Sequence, residues 1–166
     1  MEALTLALTP SADFFCRNHH AYPSPALVGP GQLLVDDHVW TLEQLQALPQ
    51  ISRVVTLECA GNGRTLFEPL PPGTGWGTRA VSTAKFAGTR LLDLLKATEQ
   101  LDSAHVHFTG QEGDYQRSLT LEEIHSTDPL LAWLMNDLPL PHEHGGPIRL
   151  VVPGHYAMTS IKWLGS

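Results

Sequence analysis

One cysteine, Cys59, stands where a β-branched run gives way to glycine, in Val54-Val55-Thr56-Leu57-Glu58-Cys59-Ala60-Gly61-Asn62-Gly63-Arg64. Ile51 to Leu57 is apolar enough for a buried strand, and the glycines and asparagine after it spell a tight turn. The sulfur is thereby offered at a strand end on closely approaching backbone. A polarizable thiolate there suits a soft or redox-active metal, whose charge strips the thiol proton. The same position fits a nucleophile working with a distant histidine, or a buried cysteine that only packs. Spacing alone leaves all three open.

Arg17-Asn18-His19-His20 is a second cluster: a forked donor for oxyanions, an amide, and imidazoles that donate or bind metal. His142-Glu143-His144 invites a zinc reading in which His155 would have to supply the third ligand. Arg149 and Lys162 flank apolar segments, where a cation either snorkels outward or turns inward to neutralise an anion. Cys16 reads as a packing residue. Trp40, Trp133 and Trp163 read as core, and His105, His107 and His125 as solvent-facing.

These residues need a scaffold. Gly and Pro number 27 (14 + 13) of 166 residues, too many for an all-helical chain. Met1 to Gln32 lacks periodicity and is expected to be extended chain and loop. Leu33 to Val35 and Val39-Trp40 predict a hairpin around Asp36-Asp37. Thr41 is expected to cap a short helix carrying Leu42, Leu45 and Leu48. The leucines from Leu91 to Leu101 predict an amphipathic helix, and Val106 and Phe108 a strand with one wet face. Thr120 and Glu123 form a capping box, and Leu130 to Met135 and Ile148 to Val152 are further strands. Strands and helices do not alternate regularly, which favours α+β architecture with mixed β-sheets and short helices over a doubly wound sheet.

A formal charge of −7 with only ten Lys and Arg argues against nucleic acid and acidic membranes as partners. Two cysteines make no disulfide framework and no CxxC zinc knuckle. The sequence shows no signal peptide and no run of 18 apolar residues. As given it is expected to be a cytoplasmic chain without membrane insertion, or a periplasmic one if a leader has been removed.

Four blocks in order resemble the molybdenum cofactor domain of the sulfite oxidase family. Phe14-Phe15-Cys16-Arg17-Asn18-His19 is similar to its F-x-x-R-N-H opening, and Leu57 to Arg64 to its (Q/E)-C-A-G-N-x-R motif. Trp76 with Ala80 to Leu95 is similar to its central block. Leu130 to Trp163 resembles the long closing block that ends in S-x-K-W. Residues 14 to 164 are covered. The resemblance implies a sulfite-oxidase-type fold in one molybdopterin-binding domain over residues 1–166, with Cys59 as the protein ligand of molybdenum. It implies that Arg17, Asn18, His19, Thr83, His144, Arg149, Ser160, Ile161 and Lys162 hold the pterin and its phosphate, some through backbone groups. Arg17 and Arg64 would face the substrate, with Trp76 beside them.

The implied activity is oxygen-atom transfer to or from a small oxyanion or sulfoxide-like substrate. Electrons would leave for an external carrier such as a cytochrome, with no haem in this chain. Thr159 stands where the family's closing motif has arginine, and Gly63 where an arginine follows the cysteine motif. The family's usual active-site tyrosine and C-terminal dimerisation domain are expected to be missing, with Tyr22 or Tyr156 as replacement phenols. Two other expectations compete: a degenerate or non-catalytic cofactor-binding domain, and a hydrolase or zinc enzyme built on Cys59, His142 and His144.

Overall fold

The computed structural model describes residues 8–102 and 104–166. A five-stranded sheet carries the fold. β3 (Gln50–Glu58) pairs antiparallel with β4 (Val81–Arg90), and β4 with β7 (Leu130–Met135). Strand β7 in turn pairs with both β8 (Leu138–Pro139) and β9 (Arg149–Val151). Two antiparallel hairpins stand apart from it: β1 (Gln32–Val35) with β2 (His38–Thr41), and β5 (His105–Thr109) with β6 (Gln116–Thr120). Short helices α1 (Pro25–Val28), α2 (Leu42–Gln46), α3 (Leu91–Ala97) and α4 (Leu121–Thr127) complete it. The α+β expectation holds. None of the described helices is long and apolar enough to cross a membrane.

Strand β7 separates two cores. Leu130, Ala132 and Met135 join Phe14, Val55, Leu57, Ala84 and Phe86 on one side. On the other, Leu131 and Trp133 join Leu45, Leu94, Phe108, Ile124, Leu150 and Ile161. The register slips between Ala87 and Gly88, so Trp133 is an extra residue that resets the alternation, as bulges do. Gly88 belongs there because a Cβ would run into the Leu131 carbonyl.

Both short helices with recognisable starts are capped by reciprocal side chain and backbone bonds, Thr41 with Gln44 and Thr120 with Glu123. Two expectations change. The leucine helix stops at Ala97, and Leu101 packs from beyond its end. Within the expected extended start, residues 1–7 lie outside the described residues, and Ser24 caps the single turn of α1 by accepting from the Leu27 amide.

Candidate functional site

The Cys59 turn is built by Asn62. Its side chain donates to Glu58 Oε1 (3.0 Å) and accepts from the Ala80 amide (3.0 Å), while Cys59 N donates to Ala80 O (2.8 Å). These bonds clamp the end of β3 to the start of β4 and leave the sulfur half-buried on a cleft of about 350 Å³. The Gly61 amide points at Cys59 Sγ from 3.5 Å. Gly63 takes a left-handed φ of +76° and swings the chain toward Arg64. The Arg64 guanidinium donates to Pro72 O (2.7 Å) and lies so close to Gly73 that a Cβ there would collide with it.

The segment from Phe14 to His19 forms another wall. Phe14 is buried against Phe86 (6.2 Å between ring centroids) and His144 (5.4 Å). Phe15 N donates to Ser82 Oγ (3.1 Å). That anchorage sends Arg17, Asn18 and His19 to the cleft. His19 stacks edge-on with His20 and lies 5.6 Å from the Tyr115 ring.

The floor comes from the closing segment. Arg149 is buried and donates to His144 O (2.8 Å) and Ser160 O (3.2 Å). Desolvation pushes its pKa down to about 10, so it stays charged at neutral pH. His144 donates through Nε2 to Ser11 O (2.8 Å), and burial holds its pKa below the ordinary imidazole range. Lys162 donates to Asn18 Oδ1 (2.7 Å), Glu143 O (2.6 Å) and Cys16 Sγ (3.2 Å). An ammonium has three protons, so Lys162 here acts on its surroundings by charge rather than by a spare donor. Next to it, buried Trp163 holds a left-handed φ of +46°, a strained backbone tied down by its indole N–H donating to His142 O (2.9 Å).

Three candidates sit differently from expectation. Thr83 does not reach the cleft: it faces Thr56 across β3 and β4, hydroxyl to hydroxyl at 2.8 Å, while its neighbours Ser82 and Ala84 turn inward. Strand periodicity is two, so one residue decides the face. The Ile161 side chain belongs to the core instead of the cleft wall. Cys16 is no simple packing residue, because its sulfur lies 3.0 Å from Tyr22 Oη and 3.2 Å from both Glu143 O and Lys162 Nζ. The replacement phenols fare no better, since Tyr22 and Tyr156 are exposed by 51% and 56% and neither lines the cleft.

The hairpin β5–β6 contributes what the sequence reading missed: Glu112, Tyr115 and Arg117 all line the cleft. Glu112 is 6% exposed, and burial raises its carboxyl pKa. A signal for Arg117 existed, because it shares strand parity with buried Leu119 and faces buried Phe108 across the hairpin. Charge on the apolar parity of a strand needs a reason.

Two patterns single out this cleft. Among the described residues, seven buried side-chain N or O atoms lack a hydrogen-bond partner. Five of them, on Trp76, Glu112, Arg117, His144 and Arg149, belong to residues that line it. Buried polar groups are otherwise satisfied. Nine of the ten Lys and Arg divide in the same way; the tenth, exposed Arg79, belongs to neither set. Arg53, Lys85, Arg90 and Lys96 make ion pairs with aspartates, whereas Arg17, Arg64, Arg117, Arg149 and Lys162 line the cleft and make none among the described residues. By contrast, the described residues include no group of three or more His, Cys, Asp or Glu able to hold a metal. His142 and His144 diverge to separate carbonyls, of Pro23 and Ser11.

The family model described as the oxidoreductase molybdopterin binding domain matches residues 31–166. The chain belongs to this family. Sulfite oxidase from Homo sapiens is 38% identical over 180 residues, covering 95% of this chain and 32% of that protein. Sulfite oxidase from Arabidopsis thaliana is 32% identical, covering 96% and 47% respectively. A nitrate reductase [NADH] from Volvox carteri is 36% identical, covering 95% and 20%. This molybdopterin-binding domain therefore spans less than half the length of these curated relatives. Among solved structures, the sulfane dehydrogenase SoxCD of Paracoccus pantotrophus superposes with a TM-score of 0.80 at 27% identity, covering 98% of this chain and 43% of that one. The sulfite-oxidase-type fold expected from the four sequence blocks is thereby established.

Proposed function

We propose that the chain is the catalytic, cofactor-holding part of a molybdenum-dependent oxidoreductase that transfers an oxygen atom to or from a small oxyanion or sulfoxide-like substrate. The observation that carries this reading is the cleft's unmet demand: five unpaired cations and five orphaned polar atoms around one cysteine sulfur, in a chain of net charge −7. Such a site calls for an anionic ligand that also offers hydrogen-bonding edges.

A pterin phosphate with molybdenum fits that demand. Cys59 would supply a thiolate to the metal. Arg149 Nε is a free buried donor for the ligand's oxygens. His144 uses its one proton at Nε2, so neutral Nδ1 accepts, as Glu112 Oε2 does, from N–H groups such as those on a pterin edge. Ser160 Oγ already accepts from Val152 N (2.9 Å), leaving its proton for a ligand. Arg17 and Arg64 line the same cleft as the sulfur and would hold substrate charge.

When bound, the cofactor supplies two-electron oxygen-atom chemistry, with water as the oxygen source or sink. Electrons would pass singly to an external carrier such as a cytochrome. The protein's share is orientation, charge neutralisation and exclusion of water.

The test is molybdenum and pterin content of chain purified from a host that makes the cofactor, with sulfite-dependent reduction of ferricyanide or cytochrome alongside. Wild type should carry close to one molybdenum per chain. Cys59→Ser should lose turnover entirely while keeping part of its pterin. Stoichiometric zinc in place of molybdenum, or turnover untouched by Cys59→Ser, would sink the reading.

A further inference from the structure

Cys16 occupies an open position of the F-x-x-R-N-H block, so the motif gives it no part to play. The fold nevertheless sets its sulfur against groups from distant parts of the chain. Sγ lies 3.2 Å from Lys162 Nζ, 3.0 Å from Tyr22 Oη and 3.2 Å from Glu143 O. The amine across the S–N contact is itself held still, donating to Asn18 Oδ1 (2.7 Å) and Glu143 O (2.6 Å). A thiol and a primary amine fixed in van der Waals contact are the two halves of a covalent bond that lacks only an oxidant. Burial, and after it the Arg149 charge, lowers the Lys162 pKa, which raises the share of uncharged, nucleophilic amine. Cys16 does not line the cleft and is only partly buried, so a small oxidant can meet the sulfur without entering the cleft.

We propose that Cys16 and Lys162 form an oxidative modification site, in which hydrogen peroxide converts the pair to a sulfur–nitrogen bridge and thereby withdraws one cation from the cleft. Peroxide transfers an oxygen to the thiol, giving a sulfenic acid and water; sulfur is oxidised and peroxide reduced by the same electron pair. Lys162 Nζ then attacks the sulfur. The S–N bond forms as the S–O bond breaks, and the departing hydroxide takes a proton from nitrogen to leave as water. Two thiols of an external reductant return the cysteine and the amine and leave as a disulfide. The bridged nitrogen keeps a single N–H and no charge, where the ammonium had three protons. Asn18 Oδ1 and Glu143 O then compete for it, which loosens the Arg17-Asn18-His19 wall from the closing segment. The bridge needs only the Cys16–Lys162 contact; its effect on the cleft rests on the cofactor reading.

The experiment treats the purified chain, cofactor-free and cofactor-loaded, with a slight excess of hydrogen peroxide. Trypsin digestion without reductant and peptide mass spectrometry follow. The expected product joins the peptide carrying Cys16 to the one carrying Lys162, with two hydrogens lost, no cleavage after Lys162, and reversal by dithiothreitol. It should form about tenfold faster in the folded chain than in urea, the advantage of a fixed contact over chance encounter. Lys162→Met should stop at a Cys16 sulfenic acid, trapped by dimedone. In the loaded chain, bridging should lower the molybdenum retained on dialysis about tenfold, the loss of one charge-assisted contact. Cys16→Ala treated alike should keep its molybdenum. Cys16 left as a thiol, oxidised to sulfinic acid with Lys162 free, or joined to Cys59 overturns the proposal, as does equal bridging in urea. Equal molybdenum loss from treated wild type and Cys16→Ala overturns the coupling of bridge to cleft. A chain that bridges yet never binds molybdenum counts against the cofactor reading instead.

Discussion

Arg149→Met separates a residue kept for a ligand from one kept for the fold. Burial lowers the Arg149 pKa from 12.5 to about 10, which at about 1.4 kcal/mol per tenfold costs the charged, ligand-free state about 3 kcal/mol. Methionine removes that cost and retains most of the aliphatic packing beside Phe86. Against it stands the loss of donors to His144 O and Ser160 O, two buried acceptors at about 1–3 kcal/mol each. The terms nearly cancel. Cofactor-free Arg149→Met should therefore unfold in urea within about 1.5 kcal/mol of wild type, or about 5 °C in Tm for a chain of this size. Cofactor content should fall at least about tenfold, since one charge-assisted contact to an anion is worth more than 1.4 kcal/mol. Paired urea melts and metal analysis read both. A loss above about 4 kcal/mol in the cofactor-free chain would make Arg149 a structural strut and refute the reasoning.

Thr83→Val should leave molybdenum content unchanged and cost about 1 kcal/mol through the lost bond to Thr56; a drop in metal content would return Thr83 to the site. Cys16→Ala leaves Lys162 two of its three acceptors, Asn18 and Glu143, so cofactor content should stay within about twofold, the scale of one weak thiol contact; a loss matching Lys162→Met would assign Cys16 a larger part. The pH dependence of the cofactor-free chain has opposed contributions. Glu112, raised above 4.5, loses stability as pH climbs through its folded value. His144, lowered below 6.5, contributes fully above 6.5 and loses it as pH falls through its folded value. Urea midpoints should then shift in favour of Glu112→Gln over wild type as pH rises from 4.5, and a pH-independent difference would contradict the burial of an ionising Glu112.

Local signals were legible in the sequence because local bonds enforce them. The Cys59 turn depends on Asn62 and two glycines within five residues, and both capping boxes close within four. The N-cap of α1 is also local, yet a four-residue helix carries no periodicity to find. Thr83 misled because a motif block gives position along a strand but not the face. The parity of β4 is set by its pairing with β3, where Thr83 meets Thr56 and Ser82 meets Leu57. Lys162 lines the cleft, but its saturation by Cys16, Asn18 and Glu143 joins residues up to 146 positions apart, which no one-dimensional pattern records.

The two kinds of wall around the cleft explain why Glu112, Tyr115 and Arg117 escaped notice. The sulfur, the opening segment and the buried arginine are held by backbone carbonyls and amides, so their residue types are bound to a particular local chain path. The β5–β6 hairpin is anchored on its other face, by Phe108 and Leu119 in the core. It forms its own two-stranded sheet, and its polar ties include Tyr115 to Met158 O and backbone bonds from Gln111 to Trp163 and from Gly165 to Thr109. A wall fixed mainly through backbone tolerates changed side chains on its inner face without loss of fold. Charge can therefore be relocated there when it is absent elsewhere. Arginine at 117, with glycine at 63 and threonine at 159, is one such distribution.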